Sequence, residues 1–319
     1  MSQQILQKYL GSLRQHFAQA DRRAAHRACA PLLREMARDP KVLPAIICQN
    51  LATPGYLERT RINPVLAMSI DKNSEFEFIM HGWLPLPDRC TETSHQSIHH
   101  HGNLLLTSVS PLGPGYDSIL FESDFRIDKR TQLTDLKPAR YYHNSLYNLE
   151  FVDTQTPHIV FYPPSLSITY ALWCPEKRSV ARGLKNSKWV SKYKQQAKSV
   201  LNALGLARAV GLNVVEYFDF YLEKGQILAM KERVTYPEGS HENFVQNLFH
   251  FLQQVGFEDY DFVKSLPATT PAVAHWKAVF LKQEPIEDRF EPGHLGIAKI
   301  NLSKAEMLGH FALSRLQPA

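Results

Sequence analysis

The chain has 319 residues, a formal net charge of +5 and a hydrophobic fraction of 44%. This length allows one large domain or two modest ones, with a core that needs no disulfide support. No apolar run approaches the ~20 residues of a membrane-spanning helix, and the polar segment 1–10 is unlike a secretory signal. Four scattered cysteines without a CxxC pair favour reduced thiols, so we predict a cytoplasmic protein with no membrane association.

The first fifty residues predict helices, because apolar residues recur at spacings of three and four. Ser2 can cap a helix to about residue 19, a second helix spans 22–36, and Asp39 can cap a third. From Pro64 the pattern changes to short alternating runs between turn residues, which predict strands. These predicted strands are 65–70, 76–83, 103–108, 118–122, 150–153, 159–162 and 167–173.

Helices return after Lys185, beginning with a predicted helix over 187–204. A strand pair is predicted over 214–222 and 226–233. Ser240, Thr270 and Ser303 are predicted to start three further helices. The predicted fold class is therefore α+β, with a central β unit between N-terminal and C-terminal helical flanks. Residues 1–60, 61–176 and 177–319 are the three predicted segments.

Histidines are concentrated in the predicted β segment, where seven of the fourteen fall between His81 and His158. The most informative stretch is the run His99-His100-His101. If this run is extended, His99 and His101 share one face and His100 points the opposite way. Two imidazoles on one face can bind one metal ion, and a third ligand must then come from another strand.

Two histidines are candidates for that third ligand. We favour His158, which begins a predicted strand, over His143, which lies in a turn rich in Tyr and Asn. Three neutral imidazoles suit Fe(II), zinc, copper or nickel by ligand type. The competing interpretation is a polar strand end without a ligand role, and His81 and His95 are predicted to lie at the surface or behind the ligands.

The stretch 76–83, followed by the motif from Ser97 to His101, resembles the cupin superfamily and within it the cysteine dioxygenase type. His158 and the run 167–175 match the later part of the same pattern. The resemblance covers roughly residues 61–176. It implies a cupin-type β-barrel, a three-histidine Fe(II) site, O₂ as co-substrate and oxygenation of a small molecule, often a thiol.

The sequence also departs from that family. No cysteine follows His101 at the spacing of the family's Cys–Tyr crosslink, and the last strand lacks the histidine of a Ser-His-Tyr triad. The usual cupin glutamate after the paired histidines is missing too, which fits ligation by histidines alone. The metal site is therefore supported better than a thiol substrate.

Two tyrosines and two arginines complete the predicted site. Tyr116, after a Gly-Pro-Gly turn, and Tyr170, on the last predicted strand, are the predicted catalytic tyrosines. The resemblance implies an arginine upstream that pairs with a substrate carboxylate, and we prefer Arg61 to Arg59 for this role. A guanidinium group can bind a carboxylate through two parallel hydrogen bonds.

The segment 177–208 contains nine Lys or Arg residues and no Asp or Glu. It is either a solvated face or a surface for an anionic partner such as a nucleic acid, an acyl carrier or a phosphorylated molecule. We predict an Fe(II)-dependent oxygenase acting on O₂ and a small anionic substrate such as a thiol or amino acid. The alternatives are a non-catalytic cupin that senses a metal or ligand, and an adaptor that uses the basic segment.

Overall fold

The computed structural model describes residues 2–19, 21–60, 65–84, 98–128, 130–177, 217–221, 226–230, 240–289 and 304–311. These residues contain both helices and sheets, as predicted. The helices are α1 (Ser2–Phe17), α2 (Arg22–Arg38), α3 (Val42–Leu51), α4 (His241–Gln254), α5 (Tyr260–Ser265), α6 (Pro271–Leu281) and α7 (Lys304–His310). The strands are β1 (Val65–Lys72), β2 (Glu77–Trp83), β3 (Ile98–His99), β4 (Leu104–Leu112), β5 (Asp117–Phe121), β6 (Leu133–Thr134), β7 (Pro138–His143), β8 (Leu149–Val152), β9 (His158–Phe161), β10 (Ser167–Pro175), β11 (Tyr217–Tyr221) and β12 (Gln226–Met230).

Side chains that accept hydrogen bonds from the first turn fix several helix starts. Asp21 accepts from the backbone of Ala24 at the start of α2. Ser240 caps α4 and Thr270 caps α6, both as predicted. The third helix begins at Val42 rather than beside Asp39, because Asp39 ends α2 and its carboxylate instead accepts from the backbone of Lys41.

The strands form two antiparallel sheets. Sheet 1 has the order β1-β2-β10-β4-β8, and sheet 2 has the order β6-β12-β11-β3-β9-β5-β7. The two sheets face each other across an interior that both of them line. Within the described ranges no ladder joins the edge strands of the two sheets, so closure into the predicted cupin-type barrel is not confirmed.

Strand alternation divides the apolar residues between the interior and two outer faces. On the outer face of sheet 1, Phe78 and Tyr170 share one buried cluster with Leu33 of α2 and Phe251 of α4. On the outer face of sheet 2, Ile119 and Phe161 pack with Met307 of α7. The predicted segments 1–60, 61–176 and 177–319 therefore share apolar cores, although their boundaries stay a prediction.

The contact of α4 with sheet 1 requires a glycine. A Cβ atom at position 82 would lie 2.6 Å from the Phe251 ring, which is closer than packed carbon atoms approach. Gly82 lies in β2 directly between His81 and Trp83. The helix therefore packs directly against the strand that carries these two residues.

Several predictions fall on residues outside the described ranges, namely the helix over 187–204, the basic segment from 178 onward, Arg61, His95 and the cap Ser303. Cys29, Cys48 and Cys174 are buried and form no disulfide. In the part of the chain that the structure describes, none of the helices combines the length and the apolar character needed to cross a bilayer.

Candidate metal centre

The histidine run enters the interior through β3. Ile98 and His99 form this short strand, and His99 pairs with His158 of β9. His101 follows two residues later, just before a turn in which Gly102 has a φ of +63°. His99 and His158 are 2% and 4% exposed, so both imidazoles lie inside the protein.

The three side chains converge on one point. The Nε2 atoms of His99 and His101 lie 3.0 Å apart, and the ligand nitrogens of His99, His101 and His158 all lie within 4.8 Å of one another. The ring centroids form a triangle with sides of 4.8, 4.5 and 4.5 Å. Two nitrogens that are each ~2.1 Å from one ion lie about 3.0–3.4 Å apart, so the closest pair fits a shared ion.

The protonation state of these histidines suits ligation. The Nδ1 atom of His158 lies 3.1 Å from the carbonyl oxygen of Thr156, so Nδ1 donates its proton and Nε2 keeps a lone pair. Burial lowers the pKa of His158 to about 4. Burial, together with the neighbouring histidines, lowers the pKa of His101 well below its usual value. Neutral imidazoles are the form that binds metal ions.

The other histidines of the segment are placed differently. His100 is fully buried on the opposite side of the strand, where its Nδ1 accepts from the backbone of Gly102 and its ring packs near Phe125. His143 lies at the end of β7 and pairs with Asp117 at 2.8 Å. The structure therefore brings His158, and not His143, to the paired histidines.

The three histidines line one wall of a cavity of about 160 Å³ that opens to the protein surface beside the exposed residue Ala67. The remaining walls are mainly aromatic and aliphatic, with the hydroxyl groups of Ser108, Tyr116 and Thr169. The lining residues of sheet 1 are Val65, Ala67, His81, Trp83, Leu106, Ser108, Thr169, Ala171 and Trp173, and Tyr116 and Val160 complete the lining. Among the described lining residues there is no Lys, Arg, Asp or Glu.

Tyr116 is at the cavity, as a catalytic role requires. Its hydroxyl group lies 3.1 Å from the Oγ atom of Ser108, and burial raises its pKa. The ring also packs near Trp83, with centroids 5.4 Å apart. The hydroxyl group is therefore protonated at neutral pH and is held in a fixed position at the cavity wall.

Tyr170 lies on the other face of β10. Thr169, Ala171 and Trp173 point into the cavity, and strand alternation turns Tyr170 outward to the buried cluster that sheet 1 shares with the helices. Its ring packs edge-on against Phe78. The structure therefore does not bring Tyr170 to the metal centre, and a catalytic role for it is not proposed.

Arg59 is exposed and is not among the described residues that line the cavity. Its guanidinium group stacks over the Tyr56 ring at 4.2 Å and donates to the carbonyl oxygen of Ala67. Arg61, the preferred partner for a substrate carboxylate, lies outside the described residues. Its role stays a prediction.

Sequence reasoning missed His81, Trp83 and Trp173 as cavity residues. His81 lines the cavity rather than the surface, and burial lowers its pKa to about 4. Trp173 packs edge-on against His101, with ring centroids 4.3 Å apart. Alternation along β2 and β10 shows which side chains share a face of each strand. It does not show which of the two faces points into the cavity.

No protein-family model matches the chain, and no curated protein matches it. Similar solved structures include the cupin domain of Cnp3 from Schizosaccharomyces pombe, with 5% identity over 36% of this chain and 66% of that chain and a TM-score of 0.24. An uncharacterised conserved protein with a double-stranded β-helix domain from Klebsiella pneumoniae has 8% identity over 38% of this chain and 87% of that chain, with a TM-score of 0.23. A DMSP lyase from Ruegeria pomeroyi has 9% identity and a TM-score of 0.24, and the match covers 34% of this chain and less than half, 46%, of the lyase.

Proposed function

We propose that this protein is a metal-dependent enzyme, and specifically an Fe(II)-dependent oxygenase of the cupin type that acts on a small molecule. The observation that carries the proposal is the convergence of three imidazoles, with ligand nitrogens within 4.8 Å of one another, at the wall of a cavity. This arrangement combines a place for an ion with a place for a substrate.

The number of ligands favours catalysis over a purely structural ion. Structural sites usually surround the ion with four protein ligands, whereas catalytic sites keep a position for water or substrate. In the described part of the chain, the only histidine, cysteine or carboxylate groups close enough to form a common site are His99, His101 and His158. An ion bound there would be open toward the cavity.

The choice of iron rests on ligand chemistry and on the family resemblance. Imidazole ligands suit iron, zinc, copper and nickel, and the three-histidine motif resembles that of thiol dioxygenases. Iron would supply the reactivity toward O₂ that side chains lack. The protein would hold the ion in place, provide an apolar surface with Trp83 and Trp173, and offer the Tyr116 hydroxyl group to a bound molecule.

The size and charge of the cavity limit the substrate. A volume of about 160 Å³ suits a small molecule. Three neutral imidazoles leave the positive charge of the ion uncompensated, which favours an anionic donor group such as a thiolate or a carboxylate. Since the described lining residues include no cationic side chain, the ion itself would be the principal anchor for that group.

Metal analysis combined with oxygen uptake tests the proposal. Purified full-length protein should bind about one equivalent of iron, consume O₂ with a small thiol, amino acid or keto acid, and lose this uptake on chelation. His99→Ala serves as the control that lacks the site. If zinc fills the site and iron-reconstituted protein consumes no O₂ with any of these compounds, the oxygenase proposal fails and a metal-binding sensor replaces it.

A further inference from the structure

A polar cluster lies inside the protein beside the metal cavity, and its carboxylate has no role in the proposed reaction. Its centre is Glu150 of β8, which is 3% exposed. Glu150 forms an ion pair with Arg140 of β7 through one carboxylate oxygen. The other oxygen, Oε2, is buried and has no hydrogen-bond partner among the described residues.

The register of sheet 1 places Glu150 next to the cavity wall. Glu150 is the direct partner of Ser108 in the antiparallel pairing of β8 with β4. Side chains of directly paired residues lie on the same face of a sheet, with Cβ atoms about 4.5–5.5 Å apart. Because Ser108 lines the cavity and contacts the Tyr116 hydroxyl group at 3.1 Å, the carboxylate lies behind these two hydroxyl groups.

The surroundings of Glu150 fit a group that changes its protonation state. Arg140 and Tyr142 face it from β7, Tyr116 faces it from the segment before β5, and Ser108 is its partner on β4. The Tyr142 hydroxyl group is also buried without a partner in the described part of the chain. Desolvation outweighs the effect of Arg140 and raises the pKa of Glu150 to about 7.

A purely structural role explains these features less well. A buried carboxylate oxygen without a partner destabilises a fold unless the group is protonated or binds water. The Arg140 side chain is 42% exposed and connects the buried Glu150 carboxylate to solvent at the edge strands β7 and β8. The cluster therefore reaches from the cavity wall to the protein surface.

We infer that Glu150 is a proton store for the cavity, connected to a bound molecule through the hydroxyl groups of Tyr116 and Ser108. When that molecule loses a proton, the Tyr116 oxygen accepts it and the Tyr116 proton passes to Ser108. The Ser108 hydroxyl group then turns to the unpartnered Oε2 of its cross-strand neighbour Glu150 and passes on its own proton, so that the carboxylate becomes a carboxylic acid. The reverse sequence returns the proton, and water that enters beside the exposed Arg140 side chain exchanges protons with Glu150 directly, so no oxidant or further reactant is needed.

The catalytic use of this store rests on the proposed function, but the store itself can be tested on the metal-free, full-length protein. Glutamate labelled with ¹³C at the side-chain carboxyl group gives an NMR titration, and Glu150→Gln identifies the Glu150 resonance. The Glu150 midpoint is expected at about 7. Ser108→Ala and Tyr116→Phe should each raise it by about half a unit or more, because each removes a polar hydroxyl group beside the carboxylate and leaves it in a less polar environment.

Tyr141→Phe is the matched control, since it removes a phenol from the same strand as Tyr142 but from the opposite face, where Tyr141 contacts Asp117. This variant should leave the Glu150 midpoint unchanged. A wild-type midpoint near the ordinary glutamate value of ~4.3 would overturn the inference. So would a midpoint that neither Ser108→Ala nor Tyr116→Phe alters.

Zinc then tests the connection to the cavity. Binding of Zn²⁺ at the three histidines should lower the Glu150 midpoint, because a nearby cation favours the carboxylate. If Zn²⁺ binds and the midpoint stays the same, the store is not connected to the cavity and the inference fails. If Zn²⁺ does not bind at these histidines, the proposed function fails, whereas the metal-free titrations still decide whether Glu150 is the store.

Discussion

His99 and His158 are directly opposed partners on the antiparallel strands β3 and β9. Opposed residues of neighbouring strands project their side chains to the same face. This pairing brings the two imidazoles together from positions 59 residues apart in the sequence, and His101 joins them from the position just before the turn that follows β3. Strand pairing thus assembles the candidate ligands.

The first prediction concerns metal content. His99→Ala should reduce bound metal from about one equivalent to near zero, because two imidazoles do not hold a divalent ion as firmly as three. His100→Ala should retain most of the metal, since His100 points to the opposite side of the strand. Elemental analysis of both purified variants decides the matter. Equal losses in the two variants would show that the effect is on folding and not on ligation.

The second prediction concerns stability and pH. Burial lowers the pKa of His26 to about 3 and those of His81 and His158 to about 4. In the unfolded chain these histidines titrate near 6.5. Between about pH 6.5 and 4 the unfolded state therefore binds more protons, so the free energy of unfolding of the metal-free protein should fall as the pH falls, by up to ~1.4 kcal/mol per pH unit for each histidine.

Urea unfolding at pH 7.5, 6 and 5 measures this dependence. His26→Gln is the informative variant, because His26 lies between Thr107 and Cys174 on the face of sheet 1 opposite the cavity lining. The variant should show a shallower dependence on pH than the wild type. An unfolding free energy that is constant from pH 7.5 to 5 would contradict the assignment of these buried histidines as neutral.

The third prediction concerns the packing of α4 on sheet 1. Gly82→Ala should destabilise the protein by about 1–3 kcal/mol, since the new methyl group would overlap the buried Phe251 ring. Gly11→Ala in α1 is the matched control, because a Cβ atom there meets nothing within 4 Å. That control should stabilise the protein by about 0.5–1 kcal/mol. Thermal unfolding of both variants distinguishes the two effects.

The fourth prediction concerns the arginines upstream of β1. If Arg61 binds a substrate carboxylate, Arg61→Ala should raise KM about tenfold or more while iron content stays the same, because it removes binding and not ligation. Arg61→Lys should recover little of the lost affinity, since an ammonium group cannot form the two parallel hydrogen bonds of a guanidinium group. Arg59→Ala is the control, and its KM should stay close to that of the wild type because Arg59 is exposed beside Tyr56. Oxygen-uptake kinetics with a carboxylate substrate provide the measurement.

The sequence predicted most of the longer strands and several helix caps, because alternation and capping residues are local signals. It did not predict β3, which has only two residues. It also placed His143 in a turn, although the six-residue strand β7 ends at His143. The strand reads Pro-Ala-Arg-Tyr-Tyr-His and has no alternating apolar pattern, so its pairing with β5 decides the structure.

The candidate site shows the same division between local and long-range information. Alternation correctly placed His100 opposite His99 and His101, because that relationship involves only neighbouring residues. The choice between His143 and His158 depended on which strand pairs with β3, and the expectation for Tyr170 depended on which face of β10 is inward. Both are properties of the assembled sheets, which spacing along the chain does not contain.

The apolar cluster that joins α2 and α4 to the outer face of sheet 1 has a practical consequence. A fragment limited to residues 61–176 would keep the three candidate ligands but expose Phe78, Tyr170 and their buried neighbours to water. Exposed apolar surface of this kind promotes association between molecules. Such a fragment is expected to aggregate, so a minimal metal-binding unit has to retain both the N-terminal helices and the helices after Ser240.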